Sequence, residues 1–127
     1  MKKFSFKKIG ILLAMMLVAG AVLVGPASAA GIDALGGGSA SGNVINYYGQ
    51  AGSLGGSFDL IRVSATLLDN GGGFVDDTGT YSLPNTNFVS TGSHSANVDI
   101  NSRYSVRVYA SSVGPAYSDT ASFAVYT

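Results

Sequence analysis

The sequence of 127 residues contains no cysteine and no tryptophan, and it has only one histidine. Without cysteine, no disulfide can reinforce the fold, although small exported domains often depend on disulfides. One histidine and no cysteine also exclude the side-chain sets that usually bind zinc and other transition metals. The fold must therefore be stabilised by core burial alone, which leaves a narrow stability margin for a domain of this size.

Basic residues are scarce after the N-terminus. All four lysines lie within the first eight residues, glutamate is absent, and residues 30–127 contain three arginines and seven aspartates, a net side-chain charge of −4. Nucleic acid and anionic lipid both attract clusters of basic residues, so this balance predicts neither partner. The charged residues of this part are Arg62, Arg103, Arg107, Asp33, Asp59, Asp69, Asp76, Asp77, Asp99 and Asp119.

The N-terminal segment predicts export. The four lysines precede an apolar run at residues 9–24, and the small residues Ala27-Ser28-Ala29 follow it. These are the three parts of a secretory signal peptide. The apolar run has 16 residues, fewer than the ~20 that a membrane-spanning helix needs, which favours a signal peptide over a membrane anchor. We expect residues 1–29 to be removed and the mature, secreted protein to begin at Ala30.

The rest of the chain predicts one all-β domain. Residues 30–42 are mostly glycine, alanine and serine, which is typical of a flexible leader. Residues 43–127 contain short runs of β-branched and aromatic residues separated by glycine, asparagine, aspartate and serine, which indicates a small antiparallel β-sandwich of about seven strands. The predicted strands are 43–48, 58–68, 74–83, 88–91, 95–100, 104–110 and 120–126, with a turn at Pro84-Asn85 between the third and fourth.

Alternating apolar residues predict which side chains face the core. The predicted inward residues are Ile61, Val63, Ala65, Leu67, Ala96, Val98, Ile100, Tyr104, Val106, Val108, Ala110, Ala121, Phe123 and Val125. Residues 43–48 and 120–127 contain no lysine, arginine or proline, the residues that usually protect an edge strand. We therefore predict that both are edge strands and that copies of the protein self-associate through them.

The C-terminal part resembles a known family of sandwiches. Residues 104–110, followed by Gly114, Ser118 and residues 125–127, resemble the closing hairpin of fibronectin type III modules, which are immunoglobulin-like β-sandwiches. The resemblance implies that Tyr104 is a tyrosine-corner residue, with its hydroxyl bonded to nearby backbone, and that Val98 packs beneath it. The tryptophan that such modules usually carry is absent.

A second resemblance concerns small secreted antimicrobial proteins. The segment His94-Ser95-Ala96, then Val98, and the closing Ala121-Ser122-Phe123 are similar to lactococcin-type bacteriocins, although the tryptophans of those peptides are missing. This resemblance implies a released antimicrobial or toxin-like β protein.

Candidate reactive sites are few. His94 lies in a polar run, and no serine occupies a G-x-S-x-G turn, so we predict no catalytic residues and no enzyme. Oxygen ligands suit calcium, and a glycine-rich turn is flanked by such ligands, although their spacing does not match a known calcium loop. The weak calcium candidates are Asp69, Asn70, Asp76 and Asp77; the prediction is of no metal and no cofactor.

Tyrosine is the best candidate for a contact residue, because it is favoured where an apolar ring and a hydrated hydroxyl are both useful. The candidates are Tyr47, Tyr48, Tyr109, Tyr117 and Tyr126. The sequence therefore predicts a secreted, non-enzymatic β-sandwich module that binds an unknown protein or cell-surface partner, or that has a structural role at the surface. The bacteriocin-like protein is the alternative.

Overall fold

The computed structural model describes residues 31–127, and the predicted signal peptide lies outside this range. Residues 31–127 form eight strands and no helix, so no helix there is long and apolar enough to cross a membrane. The strands are β1 (Asp33–Ser41), β2 (Val44–Gly52), β3 (Phe58–Leu68), β4 (Phe74–Thr86), β5 (Phe88–Ser90), β6 (His94–Asn97), β7 (Arg103–Val113) and β8 (Tyr117–Tyr126).

The strands form two antiparallel sheets. In sheet A, β1 pairs with one side of β2, and the short strands β5 and β6 both pair with its other side. In sheet B, the order is β4-β3-β7-β8. The predicted small antiparallel β-sandwich is therefore confirmed, with one strand more than expected.

The core lies between the two sheets, where the period-two alternation of each strand directs its apolar side chains. The four predicted inward residues of β3, namely Ile61, Val63, Ala65 and Leu67, are at most 1% exposed, as are Val106 and Val108 of β7. Ile100 is an exception, because β6 ends at Asn97 and leaves Ile100 in a loop, 59% exposed. The prediction that Ile100 faces the core was wrong.

The largest difference from the sequence prediction is at residues 30–42, where a flexible leader was expected. Asp33–Ser41 instead form β1, which pairs with β2 along its whole length. Glycine is uncommon in strands because it has no side chain to pack, but here its small size permits close packing. Gly36 and Gly49 lie opposite each other, and a Cβ on Gly36 would come within 2.6 Å of the Val108 side chain in sheet B.

Because β1 pairs with β2, the edge strands of sheet A differ from those predicted. β2 lies in the middle of sheet A, so the predicted edge at residues 43–48 was wrong. β8 is an edge of sheet B, as predicted, and it lies beside β1. There the Asp119 carboxylate accepts a hydrogen bond from the Ala34 N–H at 2.9 Å, which ties the two sheets together.

The predicted turn at Pro84-Asn85 lies within β4 instead. Pro84 pairs with Leu60, and Asn85 has a φ of 53°, a backbone conformation that asparagine tolerates better than most residues. β4 is an edge strand of its sheet, where the missing N–H of proline does not break a ladder on both sides.

Tyr104 begins the inward face of β7 and is only 5% exposed. Its hydroxyl accepts a hydrogen bond from the Asp99 N–H at 2.8 Å, which is the type of contact that a tyrosine corner makes. Val98 is partly buried against the core, and its N–H donates to the Asn43 carbonyl at 2.8 Å. Tyr104 thereby anchors the loop that connects β6 to β7.

Replacing Tyr104 with phenylalanine should destabilise the protein by about 1–2 kcal/mol, because the Asp99 N–H loses its acceptor while the ring remains. Urea melts would measure this change. Tyr48→Phe is the matched control, since no hydrogen bond of the Tyr48 hydroxyl is present within residues 31–127, and it should be close to neutral. Equal losses in the two variants would contradict the role assigned to Tyr104.

Candidate binding interface

All three arginines of the described chain project from the same surface, the outer face of sheet B. Arg62 lies on β3, and Arg103 and Arg107 lie on β7. Their chain neighbours Val63, Tyr104, Val106 and Val108 point into the core and are buried, so alternation directs the arginines outward. This face comprises the outward side chains of β4, β3, β7 and β8.

Strand register places the arginines in a row. Arg107 lies opposite Thr66 of β3, and Arg62 is four residues along β3 from that point, opposite Ser111. Arg103 is four residues from Arg107 in the other direction along β7. Because a strand advances ~3.3 Å per residue, neighbouring arginines of the row are separated by about 13 Å along the strands. We call Arg62, Arg107 and Arg103 the arginine row.

The arginine row makes only weak contacts within the domain. The Nε of Arg62 donates to the Ser111 hydroxyl at 3.3 Å. The Arg103 guanidinium lies 5.9 Å from the centre of the Tyr126 ring, and its Nε donates to the Tyr126 hydroxyl at 3.3 Å. No carboxylate in residues 31–127 forms a salt bridge with any of the three guanidinium groups. Their charges therefore remain available to a ligand.

The aspartates are mostly engaged away from this surface. Asp119 binds the backbone of β1 between the sheets, and Asp76 accepts a hydrogen bond from the buried Tyr47 hydroxyl at 2.6 Å. Asp77 is opposite Thr66 at the β4 margin of the outer face, where its carboxylate accepts the Gly79 N–H at 2.8 Å. Although the net charge is negative, the centre of this face is positive.

Hydroxyl groups occupy the positions between and beside the arginines. They are provided by Ser64, Thr66, Thr80, Ser82, Ser105, Ser111, Ser118, Thr120 and Ser122, as the strand pairings show. A shallow depression of ≈ 330 Å³ lies beside Arg62, and it is lined by Ser64, Thr80, Tyr109 and Ser111 as well. The surface is therefore polar and carries a row of positive charge.

Two of the five candidate contact tyrosines lie on this face. Tyr109 is 50% exposed and borders the depression, and Tyr126 is 68% exposed beside Arg103. Tyr48 is half-buried in sheet A. Tyr47 is fully buried, so the prediction that it belongs to a contact surface was wrong, because β2 is a central strand whose inward residues face the core.

Tyr117 lies at one end of the sandwich instead. It is 41% exposed and contacts Phe58 edge-on, with ring centres 6.3 Å apart. Both rings line an open cleft of ≈ 430 Å³ whose other wall is the loop that contains Leu54. This cleft is separate from the outer face of sheet B and contains no arginine.

His94, the only histidine of the sequence, makes one of two contacts that join sheet A to β4 of sheet B. This side of the sandwich is opposite the side where β1 lies beside β8. The His94 Nε2 of β6 is 3.0 Å from the Tyr81 hydroxyl of β4, and Tyr47 of β2 donates to Asp76 of β4. Burial raises the pKa of the Tyr47 hydroxyl well above its usual value, and the hydrogen bond to Asp76 and the negative charge raise it further. These contacts hold β4 against sheet A.

The calcium candidates do not converge on one point. The Asp69 carboxylate accepts the N–H groups of Gly71 and Gly73, at 2.9 and 2.7 Å, within its own turn. The carboxylates of Asp76 and Asp77 bind Tyr47 and Gly79 respectively, and Asn70 is exposed in the same turn as Asp69. In the part of the chain that the structure describes, no three histidine or acidic side chains are grouped to hold a metal ion.

The arginine row was missed by the sequence analysis. The outward positions of Arg62 and Arg107 follow from the alternation of their strands, and that signal was present. Their alignment depends on β3 lying beside β7 in a particular register. That pairing joins strands separated by two other β-strands in sheet A and one in sheet B, and local sequence patterns do not encode it.

Comparisons with known proteins bear on the fold alone. No family model matches the sequence, and no curated protein matches it. A segment of the β-glucuronidase of Parabacteroides merdae is similar in structure, with 8% identity and a TM-score of 0.51, and the match covers 75% of this chain but only 14% of that enzyme. The solution structure of R. palustris CsgH matches with 14% identity and a TM-score of 0.41, over 73% of this chain and 89% of that one. These neighbours are β-rich domains, and no immunoglobulin or fibronectin type III family is established.

Proposed function

We propose that this protein is an exported, non-enzymatic binding module that attaches to a cell surface through the outer face of sheet B. The observation that carries the proposal is the exposure of this face, which presents Tyr109, Tyr126 and three arginines without carboxylate partners in residues 31–127. Arginine and tyrosine are both enriched in binding interfaces. Export is proposed from the signal-peptide pattern of residues 1–29.

The surroundings of His94 support binding over catalysis. A hydrolytic triad needs a histidine that contacts both a serine hydroxyl and a carboxylate. The hydrogen-bond partner of His94 is the Tyr81 hydroxyl, and the Asp76 carboxylate accepts a hydrogen bond from Tyr47 instead. A role in joining β6 to β4 accounts for His94 without a chemical reaction.

The export part of the proposal predicts a defined product. When the full-length gene is expressed in the organism that encodes it, mass spectrometry should detect a protein that begins at Ala30 in the medium or on the cell surface. A cell-internal species that retains Met1 would contradict export.

The binding part is tested by sedimentation with washed cells of the same organism. The secreted protein should sediment with the cells, whereas the double variant Tyr109→Ser/Tyr126→Ser should remain in solution. Leu54→Ser is the matched control, because Leu54 is 47% exposed in the end cleft and away from the outer face. It should sediment like the wild type.

Three results would overturn the proposal. The wild type could fail to sediment, or Leu54→Ser alone could abolish attachment, which would assign binding to the end cleft. Inhibition of the growth of related bacteria by the purified protein would instead support the bacteriocin-like alternative.

A further inference from the structure

We infer that the outer face of sheet B binds an acidic polysaccharide, in which sugars that carry carboxylates alternate with neutral sugars. This inference rests on the proposed function and names its ligand class. It depends on three properties of the face: the spacing of its cations, the hydroxyl groups between and beside them, and the placement of Asp77 at the β4 margin of the face, two strands from Arg107.

The spacing of the arginine row points to a polymer and not to a small anion. Guanidinium groups bind carboxylates and phosphates through paired hydrogen bonds. The Cα atoms of neighbouring arginines are about 13 Å apart along the strands, so side chains that extend straight from the sheet make separate anion contacts. A chain with repeated anionic groups can contact Arg62, Arg107 and Arg103 together.

The low density of cations favours a polymer of low charge density. Each strand of a nucleic-acid duplex carries one charge about every 3.4 Å along the helix axis, so most phosphates of a nucleic acid would lie beside Ser, Thr or Tyr side chains instead of arginine. The remainder of the domain, with its excess of aspartate, would repel those phosphates. An acidic polysaccharide with spaced carboxylates avoids this mismatch.

The groups between the arginines are suited to neutral sugars. Ser64 and Ser105 lie between the cations, Thr66 lies beside Arg107, and serine and threonine hydroxyls both donate and accept hydrogen bonds. Sugar hydroxyls have the same capacity. The Tyr109 ring borders the depression beside Arg62 and gives a sugar ring an apolar surface to contact.

Titration calorimetry would measure the binding of the purified, processed protein to hyaluronan. In this polymer, glucuronate alternates with a neutral sugar. Carboxyl-reduced hyaluronan has the same backbone without the charge and should not bind. Single-stranded poly-dT is the comparison for nucleic acid and should bind more weakly than hyaluronan. The logarithm of the affinity should fall with the logarithm of salt concentration, with a slope of about −3 or shallower, because at most three cations are involved.

Variants separate the arginine row from the net charge. Arg107→Gln removes the central cation and should weaken binding by about five- to tenfold, since tenfold corresponds to about 1.4 kcal/mol and an exposed charged hydrogen bond contributes on that order. The double variant Arg107→Gln/Asp99→Asn restores the original net charge, and Asp99 is exposed outside the outer face. It should bind as weakly as Arg107→Gln.

The melting temperatures of both variants should equal that of the wild type, because the side chains of Arg107 and Asp99 make no hydrogen bond within residues 31–127. The inference is overturned if hyaluronan does not bind, if Arg107→Gln binds like the wild type, if the double variant recovers full affinity, or if poly-dT binds more tightly. If the protein still sediments with cells through Tyr109 and Tyr126 while hyaluronan fails to bind, the proposed function stands and only the ligand class is wrong.

Discussion

Replacing Gly36 with alanine should destabilise the domain by about 2–3 kcal/mol, near the upper end of the range for overpacking a core. A Cβ at this position would collide with the carbonyl oxygen of Tyr48 in the paired strand and would lie 2.6 Å from Val108 Cγ2 in the opposite sheet. The Tyr48 carbonyl oxygen is a backbone atom, and it cannot move without disturbing the β1–β2 hydrogen bonds. Urea or thermal unfolding would measure the loss.

Gly37→Ala is the matched control, one residue away in the same strand. Its Cβ would have ordinary contacts with the Tyr48 ring, of which the nearest is 3.7 Å from the hydroxyl oxygen. Alanine is generally more stable than glycine inside a strand by roughly 0.5–1 kcal/mol, so this variant should be neutral or slightly stabilised. Equal destabilisation of the two variants would show that β1 needs flexibility at its glycines, and not the close approach to sheet B.

Replacing Tyr47 with phenylalanine should cost about 1.5–3 kcal/mol at neutral pH, the range for hydrogen bonds to a charged group. The Tyr47 hydroxyl donates to the Asp76 carboxylate at 2.6 Å, and this contact joins β2 of sheet A to β4 of sheet B. Tyr109→Phe is the control, because Tyr109 is exposed and its hydroxyl makes no hydrogen bond within residues 31–127. Its unfolding free energy should match that of the wild type.

The cost of Tyr47→Phe should also depend on pH. Burial and Asp76 raise the pKa of Tyr47 in the folded state above the ordinary value of 10.0. A raised pKa contributes stability that is complete below pH 10 and is lost as the pH rises toward the folded-state pKa, because the unfolded chain then releases a proton that the native state retains. The wild type should therefore lose stability more steeply above pH 10 than the variant does.

Unfolding curves measured between pH 8 and pH 11 would check this difference. Other tyrosines, including Tyr48, whose pKa is also raised by burial, contribute to both proteins and cancel in the comparison. Parallel curves for the wild type and Tyr47→Phe would show that the Tyr47–Asp76 bond does not couple folding to protonation.

The sequence by itself determined the fold class and most of the inward faces. β-branched residues alternate with polar ones at period two in β3 and β7, and this local pattern decides both the strand conformation and the face that is buried. The predicted strand at residues 58–68 therefore coincides with β3. The inward position of Tyr104 followed from the same alternation, whereas its hydroxyl contact with the Asp99 N–H was implied only by the resemblance to fibronectin type III modules.

Only the tertiary structure decided which strands are neighbours, and the wrong predictions for β1, β2 and Tyr47 have this origin. The glycine-rich sequence of β1 is typical of a flexible segment. Its strand conformation depends on pairing with β2 and on close packing against Val108. Once β1 is present, β2 becomes a central strand and Tyr47 becomes a core residue. The arginine row has the same origin, since strand pairing between distant segments aligns Arg62 with Arg107. Alternation is a property of one strand, whereas register and sheet order arise from contacts between segments that are far apart in the sequence.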